Sequence, residues 1–293
     1  MFSNLVERVL SLHGKYESEL KFIDLHISKL ISQKKEISFI DKYVVKKGKR
    51  IRSLLAIHAA NGYCSEKFLQ SLALIELIHA ASLMHDDVVD NNYVRRNSDS
   101  FFKSYGAKKS ILIGDFSIMI AIQSFLAIHD DEYIKKLFLK TCKSTAYGAI
   151  KEQSLSWDSS QNNCLDVVSL KTASFFLFVN FLAVSLYSND FEKAKLVAIK
   201  GLCFGLLFQI QNDLDSYAHT NFNESEDYVQ KNITYPLMLL KNYFGLSKTC
   251  FYETNQENYN KIRDMLNLIE FKRVLMTNTE KYYNIVTKWL INS

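Results

Sequence analysis

Residues 72–90 read LALIELIHAASLMHDDVVD, and this stretch decides the fold class. From Leu72 to Met84 the only strongly polar members are Glu76 and His79. A helix that is apolar nearly all round belongs inside a bundle, not at its rim. The stretch ends in Asp86, Asp87 and Asp90. Asp86 and Asp90 lie four apart and share a helix face, with His79 seven residues before Asp86 on the same stripe. Carboxylates converging at the mouth of an apolar helix repel one another and are costly to desolvate, so they call for a cation. Mg²⁺ suits such all-oxygen ligands, with water and phosphate oxygens completing its shell. A bare D-D-x-x-D is more commonly just a solvated helix end, so the neighbours of the motif must decide.

The rest of the chain agrees with a helical interior. In 293 residues there are 9 Gly and 1 Pro, too few to punctuate a β architecture. Pro236 is expected to open a helix. Helical periodicity predicts helices near 2–12, 16–33, 50–60, 66–90, 107–128, 131–156, 164–188, 191–218, 234–244, 257–270 and 276–291. No Pro/Gly/Ser-rich linker separates them, so one all-α domain over residues 1–293 is the expectation. Thr172 to Asn189 carries no charge, but Ser174, Asn180, Ser185 and Ser188 interrupt it; it reads as a core helix, and no transmembrane segment is expected.

Lys and Arg number 36 against 31 Asp and Glu, a net charge of +5 spread along the chain. With no nucleic-acid motif, that excess fits an anionic small substrate or a plain surface, and no nucleic acid is expected. Cys64, Cys142, Cys164, Cys203 and Cys250 are scattered and never spaced C-x-x-C, as in a reduced, cytoplasmic protein. Glu7 and Arg8 interrupt the first apolar stretch, which does not read as a signal peptide.

The acidic helix end has informative neighbours. Arg95 and Arg96 follow Asp90 closely, and a second cluster, QIQNDLDS over residues 209–216, closes another apolar helix. Two clusters able to bind metal, with paired arginines, describe a diphosphate site. Upstream, KKGKRIR over residues 46–52 adds cations. Gly48 would let the backbone approach an anion, and Lys49 and Arg52, three apart, would share a helix face.

From about residue 44 to about residue 240 this ordered set resembles the trans-isoprenyl diphosphate synthases, the polyprenyl synthetase family. Gly48-Lys49-Arg50-Ile51-Arg52 is similar to the family's G-K-R-x-R-P box, with Ser53 in place of Pro. His79, Asp86-Asp87-Val88-Val89-Asp90 and Arg95-Arg96 match the first aspartate-rich region, with Asn97 where Gly is usual. Gly114-Asp115-Phe116 and Lys171-Thr172-Ala173 match two further motifs, and Gly201, Gly205, Phe208 and Gln209 lead into the second aspartate-rich region.

The resemblance implies a bundle of long helices around a central cavity and head-to-tail condensation of isopentenyl diphosphate with an allylic prenyl diphosphate. It implies Mg²⁺ on Asp86, Asp90, Asn212 and Asp213. Lys49, Arg52, His79 and Arg96 would bind isopentenyl diphosphate, and Arg95, Lys171 and Gln209 the allylic diphosphate, with the Thr172 carbonyl turned to developing positive charge. A homodimer is implied as well. Two positions depart from the family: Asn212 and Ser216 replace aspartates of the second motif, with an extra Asp215, and Asn232 stands where a diphosphate-binding Lys is usual, with Lys231 beside it as a substitute. Ala81, five before Asp86, is small where short-chain members carry an aromatic plug, which implies a long, octaprenyl-type product of the kind used as a quinone side-chain precursor. Met84, Phe116, Met119 and Ile120 are candidates to close the cavity lower down. A farnesyl or geranylgeranyl diphosphate synthase, a non-catalytic subunit of a heteromeric synthase and a terpene cyclase are the competing readings. Of the aromatics only Phe208 has a positional reason to lie near substrate, and His85 reads as a supporting or core residue rather than a general base.

Overall fold

The computed structural model describes residues 1–32, 43, 48–95, 98–188 and 190–292; for Arg95, Glu226 and Asn292 it describes the backbone alone. Among these the structure is all-α apart from one two-residue antiparallel ribbon. The chain divides into two compact units, one of Met1–Arg8, Lys140–Phe181 and Glu192–Ser293, the other of Val9–Leu139 and Leu182–Phe191. Each unit is discontinuous in sequence, so no change of composition marks the boundary.

After α1 (Ser3–Leu10), the second unit is built on α2 (Glu17–Ser32), α3 (Ile51–Ala59), α4 (Glu66–Val89) and α5 (Phe101–Ile128). Helix α4 contains the decisive stretch. Its first turn is capped by Ser65, whose hydroxyl accepts the Phe68 N–H at 3.2 Å. It packs along α5 and against α2, burying Phe68, Leu72, Leu74, Ile75 and Leu77. Each such side chain contributes about 1.5–3 kcal/mol relative to exposure. Asn91, at φ 51°, ends the helix, and β1 (Val94–Arg95) pairs with β2 (Ser98–Asp99). The Ser100 hydroxyl donates to Asn92 O at 2.6 Å and caps α5 by accepting the Lys103 N–H at 3.0 Å, tying the ribbon to both helices.

Helix α5 begins six residues earlier than periodicity predicts, because a kink at Gly106 joins an extra turn to the expected 107–128. Helix α6 (Glu132–Glu152) follows. Next come α7 (Gln161–Val168), a turn of π-helix at Ser169–Ala173 and α8 (Ser174–Ser188), a line of helix read from sequence as one element. Helix α9 (Phe191–Asp215) leads through α10 (Glu226–Gln230) to α11 (Tyr235–Phe244), which has Pro236 in its first turn as expected. Helices α12 (Lys248–Tyr252), α13 (Gln256–Asn267) and α14 (Ile269–Asn292) complete the chain. Helix α11 packs on α7, α13 and α14, placing Leu237, Met238, Leu239, Phe271 and Leu275 in the core of the first unit. The short α10 and α12 were not expected, since five residues are too few to show a period.

Among the described residues, four helical stretches, Glu66–Val89, Phe101–Ile128, Gln161–Ser188 and Phe191–Asp215, have the length and apolarity to cross a membrane, where the sequence reading singled out one. Three are mostly buried inside the protein, but the apolar window of Phe101–Ile128 is only 22% buried. There Leu112, Phe116 and Met119 stand exposed at helical spacing. Phe116 and Met119 thus stand on an exposed face of the chain, whereas Met84 is buried.

Candidate functional site

The basic box is organised around a residue that sequence reasoning passed over. Arg50 has a left-handed backbone, φ 50° and ψ 31°, and α3 starts only at Ile51. Lys49 therefore lies outside the helix that carries Arg52, and the expectation that they share a helix face is corrected. The strained backbone is held through the Arg50 side chain, which is 5% exposed. Its Nε donates to Asp24 Oδ1 at 3.0 Å, and its Nη1 lies 3.3 Å from Glu76 Oε2. Ser53 donates to the other Glu76 oxygen at 2.7 Å. A Cβ on Gly48 would lie 2.6 Å from Arg50 Nη1, so Gly48 makes room for the guanidinium. Lys49 is left exposed. Lys46 and Lys47 lie outside the described residues.

Three residues after Glu76 on the same helix stands half-buried His79, followed by half-buried Asp86 and Asp90 around buried Asp87. The last turn of α4 contains no basic residue. Carboxylates there meet the negative end of the helix dipole, an unfavourable arrangement that a cation reverses. His85 places Nε2 3.2 Å from Ile111 O and 3.4 Å from Asp115 Oδ1, with its ring against Gly114. This gives the Gly114-Asp115 pair a local meaning: one residue supplies space, the other a partner for the histidine beside Asp86. The backbone of Arg95 lies in β1, while its side chain, Arg96 and Asn97 are outside the described residues. Ala81 is 1% exposed, so its methyl is packed against protein.

In the first unit, Lys171 and Thr172 lie on the π-turn. Such widened turns shift side-chain direction and occur often at functional positions. Lys171 Nζ meets Glu152 Oε2 at 2.5 Å. The Thr172 hydroxyl donates to Gln209 Oε1 at 3.1 Å, and Gln209 Nε2 donates to Asp213 Oδ1 at 2.8 Å. This chain passes a hydrogen-bond dipole from the π-turn to the acidic end of α9. Phe208, next to Gln209, is half-buried against Phe176 and Phe204.

The second acidic cluster divides sharply. Asp213 is 5% exposed, while its neighbour Asn212 is exposed. Burial, then the nearby Asp227 charge, push the Asp213 carboxyl well above the usual range, against the hydrogen bond from Gln209. Ser216 is committed to the loop: its Oγ accepts the Asp227 N–H at 3.2 Å and lies 3.2 Å from Ser225 Oγ. Asp215 turns away to accept from Gln211 at 2.7 Å. The acidic partner of Asp213 is thus Asp227, which no D-D-x-x-D pattern would reveal. Lys231, at φ 60°, donates to Phe251 O at 2.8 Å and lies over the Tyr228 ring, and burial lowers its pKa. Its ammonium is directed into that aromatic site, and Asn232 donates to Asp227 Oδ1 at 3.1 Å.

Among the described residues, no three His, Cys, Asp or Glu side chains form a group able to hold a metal by themselves. The donors nevertheless suit Mg²⁺, which needs only one or two carboxylates when phosphate and water complete its octahedron. The desolvated Asp213 beside Asp227 is an environment that a divalent cation stabilises. The last turn of α9, like that of α4, contains no basic residue.

Comparison with known proteins places this geometry in context. The sequence model of the family described as polyprenyl synthetase matches residues 34–269. Octaprenyl diphosphate synthase of Haemophilus influenzae is 30% identical over 201 residues, covering 65% of this chain and 60% of that protein. The Escherichia coli octaprenyl diphosphate synthase gives the same identity and coverage, so the matched region spans less than two thirds of either relative. The all-trans-nonaprenyl-diphosphate synthase (geranyl-diphosphate specific) of Rhodobacter capsulatus is 29% identical over 74% of this chain and 66% of its own length. Among solved structures, a polyprenyl synthase from Caulobacter crescentus superposes with a TM-score of 0.82 at 21% identity, over 98% of this chain and 91% of that one. Octaprenyl pyrophosphate synthase from Helicobacter pylori gives 0.81 at 23% identity, over 94% of each chain.

Proposed function

The chain belongs to the polyprenyl synthetase family, and from that premise we propose that it is a Mg²⁺-dependent trans-prenyltransferase joining isopentenyl diphosphate head-to-tail to an allylic prenyl diphosphate. The observation that carries the reading is that α4 and α9 both end in carboxylates without a basic residue in the last turn. Asp86 and Asp90 in one cluster, and Asp213 with Asn212 in the other, would hold the metal. Bound Mg²⁺ supplies neutralisation of the diphosphate leaving group. Lys171 and Gln209, with Arg95, orient that diphosphate, and Lys49, Arg52, His79 and Arg96 orient isopentenyl diphosphate. The Thr172 carbonyl would stabilise the allylic carbon that becomes positive as its bond to diphosphate breaks; the isopentenyl double bond forms the new carbon–carbon bond to it, and the released diphosphate accepts the proton lost from the adjacent isopentenyl carbon as the new double bond forms. Lys231, the proposed substitute for the usual diphosphate-binding Lys, would have to leave Phe251 O and the Tyr228 ring to reach a diphosphate.

The product is proposed to be of octaprenyl type, on the strength of the octaprenyl relatives and the small residue at position 81. The working form is a homodimer in a reducing, cytoplasmic compartment. Its support is the exposed apolar row Leu112, Phe116 and Met119, which a second copy would cover, and the five free thiols. Light scattering on the purified protein tests the dimer.

A second reading has its own observation. Asn212 is exposed and Ser216 is committed to Asp227 and Ser225, which weakens the second metal cluster and favours a non-catalytic subunit of a heteromeric synthase. Purified protein given isopentenyl diphosphate, farnesyl diphosphate and Mg²⁺ separates the readings. Chain-extended product from this protein alone supports the first. Product only after a second protein is added supports the subunit, and hydrocarbon made without consuming isopentenyl diphosphate supports a cyclase.

A further inference from the structure

Helix α6 grips the π-turn and the first residue of α8 at three levels. Thr145 Oγ1 lies 3.0 Å from Ser174 Oγ. A Cβ on Gly148 would come within 2.5 Å of the Lys171 backbone nitrogen. Glu152 Oε2 takes the Lys171 ammonium at 2.5 Å. Residues 145, 148 and 152 follow the three- and four-residue spacing of one helix face, so this face of α6 fixes both the backbone and the charged tip of Lys171.

Glu152 belongs to neither aspartate-rich cluster, yet it occupies the ammonium that the proposed function assigns to the allylic diphosphate. We propose that Glu152 is a positioning and selectivity residue: a resident carboxylate that holds Lys171 in place and that an incoming diphosphate must displace. This inference rests on the reading of Lys171 as a diphosphate ligand.

The side chains of Lys171 and Glu152 are 25% and 35% exposed, so water and solute anions reach the pair. A partly exposed ion pair has a small net strength, and opening it costs little. A diphosphate carries more charge and more acceptor oxygens than a carboxylate, so it outcompetes Glu152 where a weakly charged anion does not. The displaced carboxylate returns to water. Glu152 therefore lowers the absolute affinity of Lys171 for anions and sets a charge threshold for occupying it, while Gly148 and the π-turn keep the lysine backbone fixed during the exchange.

Isothermal titration with inorganic diphosphate in the presence of Mg²⁺ tests this on wild type, Glu152→Gln, Lys171→Gln and the double variant. The expected result is binding about 1.5- to fivefold tighter in Glu152→Gln, the range a partly exposed ion pair converts to. Glu152→Gln should have no effect once Lys171 is glutamine. A residue with only a scaffolding role would not increase affinity when removed. Unchanged or weaker binding in Glu152→Gln overturns the inference, as does an effect of the same size in the Lys171→Gln background, which would assign the carboxylate to another partner. In those cases the synthase reading stands, because it is tested by primer elongation. A wild-type protein that binds no diphosphate overturns the reading of Lys171 as a diphosphate ligand and the inference with it, while primer elongation alone decides the synthase reading.

Discussion

The guanidinium of Arg50 occupies the space that a side chain on Gly48 would need, with Nη1 2.6 Å from the ideal Cβ position. The guanidinium cannot easily move aside, since Asp24 and buried Glu76 hold it. Removing Arg50 leaves the Glu76 carboxylate buried without its main counter-charge. Arg50→Leu is expected to cost about 3–5 kcal/mol in urea unfolding. Arg50→Leu/Glu76→Leu is expected to recover part of that loss, because the stranded charge goes with it. A double variant no more stable than the single one would show that Arg50 acts through Asp24 alone. Gly48→Ala should cost about 1–3 kcal/mol for the same crowding.

At the end of α4, activity and stability are expected to move in opposite directions. Asp86→Asn and Asp90→Asn each remove a carboxylate from the negative end of a helix dipole. Metal-free stability should rise by about 0.3–1 kcal/mol per site. Elongation should fall by at least about 10²-fold, the usual loss when a group stabilising transition-state charge is removed. Thermal unfolding without metal and product formation with Mg²⁺ measure the two quantities. Retained activity in the double variant would remove this cluster from the mechanism.

The all-α class and most helices were legible because runs such as 72–84 are apolar on every face and contain no breakers. The carboxylates of the first motif were legible too, since four-residue spacing is a property of the helix itself. What escaped were features created by packing. The π-turn at Ser169–Ala173 leaves no mark in hydrophobic periodicity, and Gly148 against Lys171 is a contact between distant positions. The left-handed Arg50 is another case, because Arg has no intrinsic preference for that conformation; the buried ion pairs impose it. Glu76 was the available clue: a carboxylate in an otherwise apolar helix needs a partner.

The behaviour of Asp213 links pH, metal and stability. Its folded-state pKa is raised by burial and by Asp227, so the folded protein binds more protons than the unfolded chain above the ordinary carboxylate range. Metal-free stability contributed by this group therefore falls as pH rises from the unfolded value through the raised folded one. Asp213→Asn should be more stable than wild type without metal at neutral pH and should lose stabilisation by Mg²⁺ with diphosphate. Over the pH range in which the raised pKa leaves this carboxyl protonated, metal must displace the proton, so wild-type Mg²⁺ affinity should increase with pH there, with proton release seen as a buffer-dependent heat in calorimetry. A Mg²⁺ affinity independent of pH, or identical in Asp213→Asn, would exclude Asp213 as a ligand.

His129 gives a pH signature in the second unit, independent of the metal. The ring is 2% exposed, stacks on Phe125 and lies 2.8 Å from Ser71 Oγ through Nε2. Burial lowers its pKa from 6.5 to about 4. Between those values the unfolded chain binds a proton that the folded protein does not, so stability rises with pH through that window and is lost on acidification. The expected loss between pH 7 and pH 4 is at most about 3 kcal/mol, following from about 1.4 kcal/mol per pKa unit. His129→Gln should flatten that part of the profile, whatever its effect on stability at pH 7. Urea unfolding across the range measures it, and a wild-type profile no steeper than that of His129→Gln would mean that His129 is protonated within the fold.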